Sequence, residues 1–125
     1  MIVDDEPRIL DSVRMNLELE GYQVFEATNG QEALDAVRLR LPDLVVMDVM
    51  MPQMDGYETT RAIRQMPQFA SLPVIAVTAR AMQGDRDKSI DAGATDYITK
   101  PIDMEELLDC MERWLNPASR RITGP

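Results

Sequence analysis

The sequence predicts a doubly wound α/β fold, with a five-stranded parallel sheet and helices on both faces. Three observations predict it. Short apolar runs alternate with amphipathic segments from end to end, which is the pattern of five consecutive βα units. Two of the runs, 44–48 and 74–78, are apolar up to their last residue, as strands covered on both faces should be. Four of the runs finish in Asp4-Asp5, Asp48, Thr78 and Lys100. If those strands are adjacent and parallel, all four polar ends meet at one edge of the sheet.

The first strand, β1, spans 1–4. Helix α1 follows over about 7–20, with Pro7 in its first turn, Leu10, Val13 and Leu17 on one face, and Gly21 as its stop. Strand β2 covers 22–27. Asn29 and Glu32 then form a capping-box-like pair that opens α2, a helix carrying Leu34, Val37 and Leu41 and ending before Pro42. Strand β3, 44–48, delivers Asp48 to the sheet edge, and the loop after it turns sharply through Pro52 and Asp55-Gly56. Helix α3 spans about 57–65, and Asp55-Gly56 reads as its start rather than as chemistry. Pro73 leads into β4, 74–78. A polar helix, α4, runs over about 84–92 and stops at Gly93; β5 is 96–99. Asp103 with Glu106 caps α5, whose stripe is Met104, Leu107, Leu108, Met111 and Leu115. One domain is expected over 1–116, with a flexible C-terminal tail over 117–125.

Composition narrows the function. A chain of 125 residues with 45% hydrophobic content suits one domain with a real core. Its apolar runs are far too short to span a membrane, and Asp4, Asp5 and Glu6 interrupt any signal-peptide core. A single cysteine, Cys110, excludes an intramolecular disulfide and any thiolate metal cluster, so a cytoplasmic location is expected. Cys110 itself reads as a small hydrophobe of α5. A net charge of -9 argues against direct nucleic-acid binding. There is no histidine, so the chain can neither donate from its own phosphohistidine nor hold a histidine-ligated zinc.

The polar strand ends bring together three carboxylates, a hydroxyl and an ammonium. Taken alone, Asp4-Asp5 fits a turn or a helix cap. In company with Asp48 it is a repulsive cluster, since two unit charges about 4 Å apart cost roughly 4 kcal/mol at an effective dielectric of about 20. A hard divalent cation removes that cost, and Mg²⁺ favours a few carboxylates, waters and a phosphoryl oxygen. Thr78 and Lys100 add the hydrogen bond and positive charge that a phosphoryl group needs on its remaining oxygens. The residues therefore point to metal-assisted phosphoryl transfer onto a carboxylate.

Asp4-Asp5, the segment D-V-M-M-P-Q-M-D-G from Asp48, V-T-A from Val77, and K-P at Lys100 closely resemble the receiver domain of two-component response regulators. Their order and spacing also match: 43 residues from Asp5 to Asp48, 30 on to Thr78 and 22 on to Lys100. The resemblance covers about 1–115 and is nearest to receivers attached to hybrid sensor kinases, with single-domain regulators next. It implies a flavodoxin-like (βα)5 fold with strand order 2-1-3-4-5. Asp48 would be the phosphoacceptor. Mg²⁺, or Mn²⁺ in its place, would be held by Asp5, Asp48, the backbone carbonyl of Met50 and, through water, Asp4. Thr78 would hydrogen-bond the phosphoryl group, Lys100 would pair with it, and the Lys100-Pro101 peptide would be cis. Tyr97 would be the switch aromatic that follows Thr78. Met50 and Arg80 would flank the phosphoryl group and tune its hydrolysis.

By the same resemblance, the partners would be a histidine kinase or histidine phosphotransfer protein upstream and an effector on the α4–β5–α5 face downstream. That face would also serve any homodimer. Such a domain catalyses its own phosphorylation and slow dephosphorylation and is otherwise no enzyme. Two departures stand out. The first strand has only three residues before Asp4, fewer than family members carry, which implies a cost in stability or an excised domain. Met50 brings an apolar side chain that cannot orient water, which implies slow to moderate autodephosphorylation. The alternative is a receiver-like interaction module that works without phosphorylation. A phosphatase with an aspartyl nucleophile would have a second acid where Met50 stands, and the acidic Asp4-Asp5-Glu6 turn would repel a flavin phosphate.

Overall fold

The computed structural model describes residues 1–50, 55–78 and 83–115, the last stretch without the side chains of 83–86. Along the chain run β1 (Ile2–Val3), α1 (Pro7–Leu19), β2 (Glu26–Ala27), α2 (Gly30–Arg40), β3 (Val45–Asp48), α3 (Gly56–Gln65), a 3-10 turn (Pro67–Phe69), β4 (Val74–Thr78), α4 (Gln83–Asp91), β5 (Asp96–Thr99) and α5 (Met104–Leu115). The strands form one sheet, all neighbours parallel, in the expected order β2-β1-β3-β4-β5. No helix among the described residues is long and apolar enough to cross a membrane. The expected tail, 117–125, lies outside the described residues.

Successive side chains of a strand point to opposite faces of a sheet, and here that alternation sorts two cores. Ile2, Val46, Ile75, Val77 and Ile98 face Leu10, Val13 and Leu17 of α1 and Leu107, Cys110 and Met111 of α5. Val3, Val45, Met47 and Val74 face Ala33, Leu34 and Val37 of α2 and Ile63 of α3. Burying a Val, Leu, Ile or Met side chain contributes about 1.5–3 kcal/mol, so these two layers dominate the stability of the fold.

The first two strands are shorter than 1–4 and 22–27. The register pairs Ile2 with Glu26 and Val3 with Ala27, so Phe25 falls opposite Met1. Phe25 O accepts from Ile2 N at 2.8 Å, while Tyr22 and Val24 pack against the α1 and α5 core without joining the ladder. Helix α2 also differs from expectation at its end. Leu41 is not a core residue; it is 63% exposed and closes the helix in the left-handed region at φ 50°. Its N–H still donates to Val37 O, so the helix ends at Arg40 with Leu41 as its cap, before Pro42 as expected, but without Leu41 on its buried face.

Helix starts follow their caps. Asn29 Oδ1 accepts from Glu32 N at 2.9 Å, but the Glu32 carboxylate reaches back to Thr28, taking its N–H and hydroxyl, rather than to Asn29. Asp55 Oδ1 accepts from Glu58 N at 2.8 Å, and Asp103 Oδ1 accepts from Glu105 N at 2.9 Å. Each satisfies a donor that the first helical turn would leave unpaired.

The register also sets the height of each polar strand end. Val3 lies opposite Met47, so Asp4 follows at the level of Asp48. Asp48 lies opposite Val77, so Thr78 stands one step further out. Thr78 lies opposite Thr99, so Lys100 stands one step beyond that. The four ends form a staircase across the sheet.

Candidate functional site

At the carboxyl edge of the sheet, β1 and β3 are central neighbours, and each finishes in a buried aspartate. Asp4 and Asp48 are each 2% exposed. Alternation places both on the face packed by α1 and α5, the same face to which Ile98, and hence Lys100, belongs. Lys100 starts two steps up the staircase, and its long side chain reaches back down. Its Nζ donates to Asp48 Oδ2 at 3.2 Å and lies 3.6 Å from Asp4 Oδ2. Asp5 is exposed and completes an acidic group, since one carboxylate oxygen from each of Asp4, Asp5 and Asp48 lies within 4.8 Å of the others.

The remaining carboxylate bonds fix the two buried acids. Asp48 Oδ1 accepts from Met50 N at 3.0 Å, and Asp4 Oδ1 accepts from Glu6 N at 2.9 Å. Burial pushes the Asp48 carboxyl from its ordinary 3.8 up to about 6; the Met50 N–H opposes this, Asp4 adds to it, and Lys100 opposes it. Burial alone would pull the Lys100 ammonium down, but the charges of Asp48 and Asp4 outweigh it and hold the pKa above its ordinary value. One ammonium faces two carboxylates, so the cluster keeps an excess of negative charge that a hard cation would relieve. The donors are oxygens only and sit close together, which suits Mg²⁺ rather than a thiolate- or imidazole-seeking metal.

Thr78 ends β4, is 1% exposed, and through its carbonyl accepts from Lys100 N at 2.7 Å. Alternation groups it with Ala76, whose register partner is Tyr97. Tyr97 is half-buried against Val49, Ala76 and Ala94, a small patch that Tyr57 shares. The Lys100-Pro101 peptide is cis, as the resemblance implied. The side chain of Met50 is 67% exposed at the rim. Arg80, the other residue expected to tune hydrolysis, lies outside the described residues, as do 51–54 of the acceptor loop.

The sequence marks Asp55-Gly56 as a turn and helix start, but the structure gives Gly56 a tighter role. Its N–H donates to Val49 O at 3.2 Å, and a Cβ there would fall 2.6 Å from Val49 Cα and closer still to the Asp48 carbonyl oxygen. The start of α3 is thus pressed against the backbone of the acceptor segment. The only signal in the sequence was the Asp-Gly pair itself, which marks a turn and not the approach of two backbones.

Known proteins share this fold. A family model described as the response regulator receiver domain matches residues 1–112. The response regulator MprA of Mycobacterium sp. (strain KMS) is 42% identical over 95% of this chain and 51% of its own, so the chain spans about half the length of that relative. Among solved structures, the Vibrio cholerae chemotaxis protein CheY4 superposes with a TM-score of 0.87 at 32% identity, covering 91% of this chain and 95% of the other. The receiver domain of the Pseudomonas aeruginosa sensor histidine kinase PA1611, which has a magnesium ion coordinated in its active site cleft, gives a TM-score of 0.85 at 35% identity. It covers 92% of this chain and 94% of the other.

Proposed function

The chain belongs to the response regulator receiver domain family, and on that premise we propose that it is the phosphoacceptor of a two-component phosphorelay, with Asp48 as the acceptor. One observation carries this reading: a buried aspartate at the end of a central strand, flanked by two further carboxylates and capped by a lysine from the neighbouring edge. A carboxylate oxygen of Asp48 attacks the phosphorus of a partner's phosphohistidine. The P–N bond breaks, its electron pair returns to the imidazole, and an acyl phosphate remains on Asp48. With a pKa of about 6, Asp48 is mostly ionised at neutral pH and ready to attack.

Asp5, Asp48, the Met50 carbonyl and, through water, Asp4 would hold Mg²⁺, which when bound screens the approach of one anion to another. Lys100 shifts from neutralising the carboxylate to pairing with the new phosphoryl oxygens, and Thr78 supplies a hydrogen bond. Because Thr78 and Tyr97 belong to one face of the sheet, their adjustment changes the surface of α4, β5 and α5. The readout is a change in partner affinity. Upstream, a histidine kinase or histidine phosphotransfer protein supplies the phosphoryl group; downstream, an effector reads the altered face. Met50 leaves the attacking water unoriented, so the acyl phosphate decays slowly to moderately.

Intact-mass spectrometry after acetyl phosphate treatment tests this reading, with and without Mg²⁺, on wild type and Asp48→Ala. One Mg²⁺-dependent phosphoryl adduct, absent from the variant, is the expected result. A folded, Mg²⁺-binding wild type that takes no adduct would overturn it and leave a phosphorylation-independent interaction module.

A further inference from the structure

Arg64 is a cation that the phosphoacceptor site does not use, and its side chain donates to three separate residues. It projects from the last turn of α3. Its Nε donates to Gly93 O at 2.8 Å, Nη1 to Phe69 O at 2.9 Å and Nη2 to Thr95 Oγ1 at 3.2 Å. The rigid planar fork of a guanidinium spreads its donors over three nitrogens, a reach that an ammonium, with its three donors on one nitrogen, cannot match. Thr95 Oγ1 also accepts from Val74 N at 3.1 Å, so the tie continues into the start of β4.

The acceptors sit at a mechanical junction. Gly93, at φ 106°, closes α4, with its N–H on Ile90 O at 2.9 Å and the Ala94 N–H on Ser89 O at 3.0 Å. Thr95 immediately precedes β5. A Cβ on Gly93 would fall 2.7 Å from Arg64 Cγ, so the aliphatic stem of the arginine lies against the same turn. Burial pushes the Arg64 pKa down, but a guanidinium starts so high that it stays charged. At its other end α3 is pressed, through Gly56, against the backbone of Asp48. Ten helical residues span about 15 Å, so one stiff rod joins the acceptor segment to the junction of α4 and β5.

We propose that Arg64 is a positioning residue that clamps 93–95 as a fixed pivot, so that phosphorylation of Asp48 displaces α4 about its C-terminal end. The proposal rests on the receiver reading. Without the clamp, the C-terminal turn of α4 and the entry to β5 would drift with the rest of the surface, and the change at Tyr97 would spread instead of being directed.

Amide exchange of the full chain, followed by NMR with and without Mg²⁺ and beryllofluoride as the phosphoryl mimic, tests it. The comparison uses wild type, Arg64→Ala and Arg64→Lys, the last keeping the charge and most of the stem. In wild type, beryllofluoride is expected to shift Tyr97 and the residues around Asp48 while leaving 93–95 nearly still. In both variants, exchange at 93–95 rises by about tenfold or more, and those amides now respond to beryllofluoride. A loss of thermal stability with an unchanged response at 93–95 would reduce Arg64 to a structural tie and overturn the pivot alone. So would a wild-type shift at 93–95 as large as that at Tyr97. If beryllofluoride moved nothing around Asp48, the receiver reading would fall and the pivot with it.

Discussion

Lys100 Nζ stands 3.2 Å from Asp48 Oδ2, yet the pair does not hold Asp48 at an ordinary carboxylate pKa. Burial and the neighbouring Asp4 prevail, because the same ammonium also serves Asp4 at 3.6 Å. The ion pair limits the cost of a buried charge without abolishing it.

That imbalance has a direction in pH. A carboxyl whose folded pKa is about 6, against 3.8 ordinarily, binds its proton more readily in the folded state. Its contribution therefore favours folding as pH falls from 6 toward 4 and is lost as pH rises through that window. Asp48→Asn is expected to stabilise the metal-free protein at pH 7.5 by roughly 1–3 kcal/mol, the gain closing as pH falls from about 6 to about 4. Urea denaturation across that range measures it. Equal midpoints for the two proteins at pH 7.5 would refute the assignment.

Cation binding should act in the opposite sense to Asp48 ionisation. Mg²⁺ at about a hundred times its dissociation constant is expected to stabilise wild type by about 2.7 kcal/mol. Thermal melts with and without Mg²⁺ should show the shift blunted in Asp5→Asn and Asp48→Asn. Asp103→Asn alters an aspartate that caps α5 instead, and it should keep the full shift. If all four proteins shifted alike, the ion would be binding elsewhere.

Gly56→Ala should be costly although Ala is the better helix former. The new methyl meets backbone atoms of Asp48 and Val49, which cannot rotate away. A loss of more than about 2 kcal/mol is expected in chemical denaturation, with weaker phosphorylation of whatever remains folded. Wild-type stability in this variant would show that α3 can lift from the acceptor segment at little cost.

Leu41 offers the reverse case. It is exposed and left-handed at φ 50°, so its side chain contributes little packing while its backbone is strained. Leu41→Gly is expected to raise stability by roughly 0.5–1 kcal/mol, read from the urea midpoint, with phosphorylation unaffected. A lower midpoint would mean that the Leu41 side chain makes a contact worth more than the strain.

Much of this was legible in the sequence for identifiable reasons. Strands β3 and β4 could be read because their apolar runs end at Asp48 and Thr78, and helix starts could be read because Asn29, Asp55 and Asp103 are caps. The lengths of β1 and β2 could not, because Tyr22 and Val24 pack against the core with a strand-like apolar alternation while the ladder pairs only Ile2 with Glu26 and Val3 with Ala27. Leu41 misled because its spacing continues the helical period, while Pro42 ends the helix. The convergence of Asp4, Asp5, Asp48 and Lys100 followed from parallel strands ending at one edge. The grip of Gly56 on Asp48 and the three acceptors of Arg64 did not, since these partners are mostly backbone atoms, which no residue name encodes.

The staircase of strand ends divides the chain into parts that can vary in length and parts that cannot. Each functional side chain is located by its step on the sheet, so adding or deleting one residue within β3 or β4 would turn the residues beyond it to the wrong face. The turns at the opposite edge, around 20–21 and 41–43, carry none of these addresses. Descendants of this sequence can lengthen or shorten there while Asp4, Asp48, Thr78 and Lys100 keep their places.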